Sequence, residues 1–282
     1  MLMWGMTGWM KAVLTAAGML AAMPAGHAQE PVDVALVLAV DVSRSMSPGE
    51  LTIQRDGYAA ALNHPDVLRA IGQGAYGRIA VTMFEWAGNS AIRPVFDWTL
   101  VETAADADRL SAAVRNSSPI GQRRTSISGA ILHALKLIDD APFDGFRKVI
   151  DISGDGPNNQ GQPVLEAREL ALARRIVING LPLMTSDGFN GGFNIPDLDA
   201  YYGDCVIGGP GSFLVPVSSW DQFPEAIRRK LILEIGGLPP DEATVIPAQA
   251  MPAQGLRPST GSYDCLIGEK IWQQRQWMFQ DP

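Results

Sequence analysis

Three oxygen-bearing side chains stand at alternate positions in the segment Asp41-Val42-Ser43-Arg44-Ser45. They follow Val32 to Val40, a nearly continuous apolar run that predicts a strand buried on both faces. Alternate residues of an extended segment can point the same way, so one carboxylate and two hydroxyls can converge on one point. Ligand sets made only of oxygen suit hard cations such as Mg²⁺, Mn²⁺ or Ca²⁺. The segment therefore predicts a cation site.

Two later segments carry groups of the same kind. Thr125 lies in a hydroxyl-rich loop, Arg124 to Ser128, where a predicted helix opens. Asp155 stands at the carboxyl end of a second buried strand, between two glycines that let the backbone turn sharply. In open α/β sheets, ligands bind at the edge formed by the carboxyl ends of the strands. These groups are therefore candidates for one site at that edge.

Strand and helix patterns alternate along the chain. The predicted strands are Val32–Val40, Arg78–Trp86, Ile92–Trp98, Lys148–Ser153, Val177–Met184 and Ser212–Val217. The predicted helices are, approximately, Glu50–Asn63, Ala104–Val114, Ser126–Leu137, Glu166–Arg175 and Asp221–Ile235. This alternation implies right-handed β-α-β crossovers. We therefore predict an α/β fold, with a doubly wound, mostly parallel central sheet flanked by helices.

The three polar segments resemble the metal-ion-dependent adhesion site of von Willebrand factor type A domains. The pattern of that site is D-x-S-x-S, a distant threonine, and a D-G pair after a later strand. The resemblance covers about Val32 to Ile235 and departs from the common pattern at Gly154, which we do not expect to disable the site. It implies one divalent cation, Mg²⁺ in the first place and Mn²⁺ or Ca²⁺ otherwise. The implied metal ligands are Asp41, Ser43, Ser45, Thr125 and Asp155.

The same resemblance implies a function. Binding partners of such domains usually supply an acidic side chain as the last metal ligand, and a dication held by few protein charges favours such a carboxylate. We therefore expect an adhesion or scaffold module that captures an Asp or Glu of another protein. With the segments Ile178–Pro182 and Cys205–Gly211, the whole chain looks most like an uncharacterised exported bacterial family with this fold.

Two alternatives stay open. One is a hydrolase in which the metal activates water, and the other is a domain whose metal only stabilises the fold. Asp151 lies inside a predicted strand, and neither His64 nor His133 adjoins a motif that would supply a nucleophile. We therefore expect a binding protein and not an enzyme.

Residues 1–28 differ from the rest of the chain. Their one charge is Lys11, and an apolar run from Ala12 to Met23 and the small residues Gly26 and Ala28 follow it. This pattern predicts a secretory signal peptide, and thus a periplasmic or secreted protein. The run is shorter than the ~20 residues of a spanning helix, so we do not expect the mature protein to span a membrane. An uncleaved anchor is the alternative.

The charge of the chain without this leader is strongly acidic. It carries 21 Lys and Arg residues against 30 Asp and Glu residues, a formal charge of −9. Phosphate binding needs clustered basic side chains, so nucleic acid is not an expected partner. We interpret the short basic groups Arg174-Arg175 and Arg228-Arg229-Lys230 as solvated helix faces.

The predicted order of segments is signal peptide 1–28, the α/β domain 29–236, and a Pro-rich connector with a tail, 237–282. Gly236 to Pro258 is rich in Pro, Ala and Gly, and we expect no regular element there. Cys205 and Cys265 predict a disulfide that ties the tail to the domain, two free thiols being the alternative. The tail aromatics are expected to pack on the domain or, alternatively, to dock a partner; they are Trp272, Trp277 and Phe279.

Overall fold

The structure is a computed structural model, and it describes Met1 and residues 29–89, 91–118, 123–185, 195–237, 244–245 and 263–278. The predicted signal peptide and most of the Pro-rich connector lie outside the described residues, as does Phe279. Among the helices described, none is long and apolar enough to cross a membrane.

A seven-stranded sheet forms the centre of the fold. Its strands are β1 (Glu30–Asp41), β2 (Ile79–Trp86), β3 (Ile92–Val101), β4 (Phe143–Gly154), β5 (Val177–Pro182), β6 (Phe213–Leu214) and β7 (Thr244–Val245). Their order is β3-β2-β1-β4-β5-β6-β7, and every neighbouring pair is parallel except β2 and β3. The predicted mostly parallel sheet is confirmed.

Helices cover both faces of this sheet. They are α1 (Pro48–Leu62), α2 (Pro65–Gly72), α3 (Ala104–Arg115), α4 (Ile127–Asp139), α5 (Val164–Ala173), α6 (Leu198–Tyr201), α7 (Phe223–Gly236) and α8 (Ile267–Met278). One apolar core joins the sheet to α1, α2, α3 and α7, and a second joins it to α4, α5 and α6. The doubly wound architecture is therefore confirmed.

The central strand β1 positions the candidate site. It lies between β2 and β4, and its residues from Val34 onward are buried because helices cover both faces. Val40 pairs with Ser153 of β4, so the two strands end side by side. Asp41, the last residue of β1, and Asp155, the residue after β4, consequently leave the sheet at the same edge.

Several elements were not predicted from the sequence, among them helices α6 and α8. Helix α2 was not predicted; His64 caps it, since its side chain accepts a hydrogen bond from the Asp66 amide at 3.2 Å. Strand β7 lies where we expected no regular element, and this expectation is wrong for Thr244–Val245. Two β-branched residues suit a strand, and the outer edge of β6 supplies backbone partners for them.

The interpretation of Lys230 as a solvated residue is also wrong. Its side chain is completely buried, and its Nζ lies 2.6 Å from Oδ1 of Asp151 on β4. It also contacts Glu234, one turn later on α7, and Glu234 accepts a hydrogen bond from Asn179. A buried cation requires such partners, and two carboxylates supply them here. Burial and the nearby Asp151 charge raise the pKa of Glu234 to about 7.

This buried group predicts a pH dependence of stability. Because the pKa of Glu234 rises on folding from its ordinary value of 4.5 to about 7, its contribution is complete below about 4.5 and is lost as pH rises through 7. We expect Glu234→Gln to flatten the fall in unfolding free energy across this interval, measured by urea denaturation. Glu169→Gln, an exposed change on α5, serves as the control and should keep the wild-type profile. Parallel profiles for wild type and Glu234→Gln would contradict the assignment.

Candidate metal-ion site

The D-x-S-x-S segment forms a turn at the end of β1 that is held by hydrogen bonds between its own residues. Oδ1 of Asp41 accepts a hydrogen bond from the backbone amide of Ser43 at 2.7 Å. The hydroxyl oxygens of Ser43 and Ser45 lie 2.8 Å apart. Asp41 and Ser43 are buried and Ser45 is half-buried, so the segment presents its oxygens from a fixed turn.

Asp155 joins this segment from the neighbouring strand end. Its Oδ1 lies 3.5 Å from the Ser43 hydroxyl, and its side chain is buried. The structure thus brings together four of the five predicted ligands in one connected cluster of oxygens. Across the described ranges no three His, Cys, Asp or Glu side chains cluster to hold a metal. The candidate donor set here combines two carboxylates with two serine hydroxyls.

The electrostatics of the cluster favour a positive ligand. Burial, and then the repulsion from Asp155, raise the pKa of Asp41 well above its usual range. Burial also raises the pKa of Asp155 to about 6, against the lowering effect of the Ser45 and Ser43 hydroxyls. Oδ2 of Asp41 has no hydrogen-bond partner within the described part of the chain. Two buried carboxylates and hydroxyl oxygens fit a hard divalent cation.

Thr125 lies beside the turn that follows Asp155. Its backbone amide donates to Oδ1 of Asn159 at 2.9 Å, and its carbonyl accepts from the Asn159 amide at 2.9 Å. A Cβ added at Gly156 would lie 3.9 Å from the Thr125 hydroxyl oxygen. The predicted fifth ligand is therefore held beside the turn after Asp155 by two hydrogen bonds between its backbone and Asn159.

Three consecutive amide side chains hold these loops together, and the sequence prediction missed them. Besides Asn159, Oδ1 of Asn158 accepts from the Ser128 amide at 3.0 Å. Oε1 of Gln160 accepts from the Asn89 amide at 3.0 Å. The signal was the run of amides directly after the D-G-P turn, because buried amides must satisfy backbone groups nearby.

Helix α1 fixes the other side of the site. Ser47 and Glu50 form a capping box at its start, and Nε1 of Trp220 donates to Glu50 at 2.7 Å. The Gln54 side chain donates to the carbonyl of Asp41 at 3.2 Å. The end of β1 is therefore tied to the first turns of the helix that follows.

The C-terminal tail packs against the loops of the site. The predicted disulfide between Cys205 and Cys265 is present, so the free-thiol alternative is wrong. On α8, the Trp272 ring lies 4.1 Å from the guanidinium of Arg124, and Glu269 accepts from Asn158 at 2.7 Å. Packing of Trp272 on the domain is confirmed, whereas the Trp277 side chain lies outside the described residues.

Arg124 has a strained backbone next to the site. Its φ of 81° lies in the left-handed region, which is costly for a residue with a side chain. It precedes Thr125 directly, and its side chain is held over Trp272. The tail residue Trp272 thus contacts Arg124, which has the left-handed backbone conformation and directly precedes Thr125.

Gly154, where the sequence departs from the common pattern, has no room for a side chain. A Cβ at this position would lie 2.8 Å from the hydroxyl oxygen of Tyr202 and 3.1 Å from Oδ2 of Asp41. Both contacts are closer than side chains normally allow, and both partners are buried. Glycine is therefore required here by close approach.

We expect Gly154→Ala to destabilise the metal-free protein by about 1–3 kcal/mol, because the added methyl group overpacks a buried site. The check is urea unfolding in the presence of a chelator. The control is Gly72→Ala, where a Cβ would meet no atom within 4 Å; alanine there should be neutral or stabilise by up to about 1 kcal/mol. Equal effects at the two positions would refute the steric account.

Solved structures share this fold. Proximal thread matrix protein 1 from the mussel byssus matches with a TM-score of 0.53 and 14% identity, over 74% of this chain and 50% of that one. A second structure of the same protein, with a zinc-occupied MIDAS motif, matches with a TM-score of 0.54 and 12% identity, over 74% and 49%. The pilus adhesin SpaC from Lactobacillus rhamnosus GG matches with a TM-score of 0.55 and 13% identity, over 73% and 31%. The match thus spans half or less of each of these chains.

The chain therefore has a von Willebrand factor type A-like fold. Residues 31–239 match the profile of a protein family of unknown function, DUF1194, and the chain belongs to that family. No curated protein matches the sequence.

Proposed function

We propose that this protein is an exported binding module that captures an acidic group of another protein through a bound divalent cation. Asp41, Ser43, Ser45, Thr125 and Asp155 hold the cation, with Mg²⁺ as the first candidate and Mn²⁺ or Ca²⁺ as substitutes. When bound, the cation supplies a positive centre with an open coordination position for a carboxylate.

The observation that carries the proposal is the approach of two buried carboxylates to one cluster of hydroxyls. The pKa of Asp41 and that of Asp155 are both raised, so the metal-free cluster is poorly suited to two negative charges. A dication removes this conflict, because it neutralises both charges and accepts the hydroxyl oxygens as ligands. The same conflict explains why metal binding would stabilise the fold.

The fold class supports a binding role. Domains of this fold commonly mediate protein binding or adhesion, one compared structure has a zinc-occupied MIDAS motif, and another is a pilus adhesin. The disulfide between Cys205 and Cys265 supports export to the periplasm or the exterior, since disulfides persist in oxidising compartments.

The proposal assigns no catalytic role to the site. His64 caps helix α2, and His133 packs edge-on against Phe84 with a ring distance of 4.7 Å. The buried Asp151 pairs with Lys230 inside the sheet core. These groups have structural partners of their own, which favours binding over hydrolysis.

The first test is calorimetric titration of Mg²⁺ into the chelator-treated mature protein. We expect one saturable site in the wild type. Asp41→Asn and Asp155→Asn should weaken it by more than the ~100-fold that loss of an outer partner can cost, because each removes a charge from the site itself. Asp144→Asn removes a charge from the exposed opposite end of β4 and should bind as the wild type does.

Capture of a partner is tested with the immobilised protein and periplasmic extract. Retention of a protein in Mg²⁺, lost with chelator and in Asp41→Asn, would support the proposal. Metal-dependent hydrolysis of a simple phosphate ester, abolished in Asp41→Asn, would contradict it and favour an enzyme. Absence of cation binding to the wild-type chain would refute the proposed site.

A further inference from the structure

Two buried polar atoms beside the cluster lack hydrogen-bond partners among the described residues. One is Oδ2 of Asp41, and the other is the hydroxyl of Tyr202. Both side chains are completely buried, with 0% of their surface exposed. An unpartnered buried polar group is costly, and such groups in a native structure call for an explanation.

Gly154 brings these two atoms together. The point at which its Cβ would stand lies 2.8 Å from the Tyr202 oxygen and 3.1 Å from Oδ2 of Asp41. The Tyr202 ring also lies against Gly180 on the adjacent strand β5, where a Cβ would be 2.8 Å from the ring. Because Gly154 and Gly180 have no side chains, the Tyr202 ring can pack between these neighbouring strands and approach the Asp41 carboxylate.

The element that carries Tyr202 is anchored on both sides. Tyr202 opens a π-helical turn, Tyr202–Val206, and its carbonyl accepts from the Ile207 amide at 2.9 Å. The turn contains Cys205, which is bonded to Cys265. Tyr201, just before it, accepts a hydrogen bond from the Asn158 amide at 3.1 Å. Single π-helical turns occur frequently at functional sites.

The two unpartnered atoms are chemically complementary. The hydroxyl of Tyr202 is a hydrogen-bond donor. Oδ2 of Asp41 is an acceptor, and the other oxygen of that carboxylate already accepts from Ser43. A bond from Tyr202 would fix the carboxylate at both oxygens.

We propose that Tyr202 is a positioning residue of the cation site, whose hydroxyl donates a hydrogen bond to Oδ2 of Asp41, directly or through one water molecule. This inference rests on the proposed cation site. Tyr202 orients the Asp41 carboxylate behind the serine hydroxyls and does not itself touch the cation. Partners that orient metal-binding groups from outside in this way typically change metal affinity by 10- to ~100-fold.

The test is Mg²⁺ titration into chelator-treated Tyr202→Phe, with Tyr58→Phe as the matched control. Tyr58 is equally buried, and its hydroxyl also lacks a partner in the described structure. It lies on α1, where burial, and then the charges of Asp151 and Glu234, raise its pKa, and Asp41 does not contribute. We expect about tenfold weaker binding in Tyr202→Phe and an unchanged affinity in Tyr58→Phe. The metal-free stabilities of the two variants should change alike, since each loses one buried hydroxyl.

The outcomes separate the two proposals. Binding by the wild type with equal affinity in Tyr202→Phe would overturn the role of Tyr202 and leave the cation site standing. Absence of binding by the wild type would overturn both. A second measurement does not depend on the variant: a high-resolution structure with Mg²⁺ should show the Tyr202 oxygen within about 3 Å of Oδ2 of Asp41, or both atoms bonded to one water. A structure with neither arrangement would overturn the inference.

Discussion

The structure depends on one electrostatic constraint, which is the burial of two carboxylates at adjacent strand ends. Asp41 and Asp155 lie close together because β1 and β4 are paired up to Val40 and Ser153, and both carboxylates follow shortly after this last pair. Burial raises the pKa of each of them, and the repulsion from Asp155 adds to the shift of Asp41. The serine hydroxyls and the backbone amide of Ser43 offset only part of the free-energy cost of burying these two carboxylates. We propose that a cation bound at the cluster offsets the remainder.

The surrounding loops hold this arrangement in place. Asn158 and Asn159 bond to backbone amides of the segment around Thr125, and Gln54 bonds to the carbonyl of Asp41. The disulfide-tied tail contacts the same loops, through Trp272 below Arg124. The proposed cation site would need such rigid support, because the selectivity of a metal site depends on keeping a few oxygens in fixed positions.

Much of this organisation could be predicted from the sequence, since it depends on local patterns. The buried strand before Asp41, the alternation of strands and helices, and the order of the polar segments are all visible in the chain. Contacts between distant segments were harder to predict. In the sequence, Lys230 cannot be distinguished from its basic neighbours. Its burial follows from the complete fold, in which it lies beside Asp151 on β4. The two-residue strand β7 likewise exists only because β6 offers an edge to pair with.

The roles of Tyr202 and the amides illustrate the same limit. An aromatic residue in a helical turn predicts only packing, and its nearness to Asp41 depends on glycines at two separate strand positions, Gly154 and Gly180. The amide run after Asp155 is visible in the sequence, but its partners lie some 30 to 70 residues away. Such contacts follow from the complete fold.

The most direct test of the account is anomalous diffraction from crystals of the mature protein soaked with Mn²⁺. The account predicts one strong anomalous peak at the edge of the sheet, about 2 to 2.5 Å from the oxygens of Ser43 and Ser45 and beside Asp155. A peak elsewhere, or crystals with full Mn²⁺ exposure and no peak at this cluster, would contradict the central claim that the two buried carboxylates exist to hold a cation.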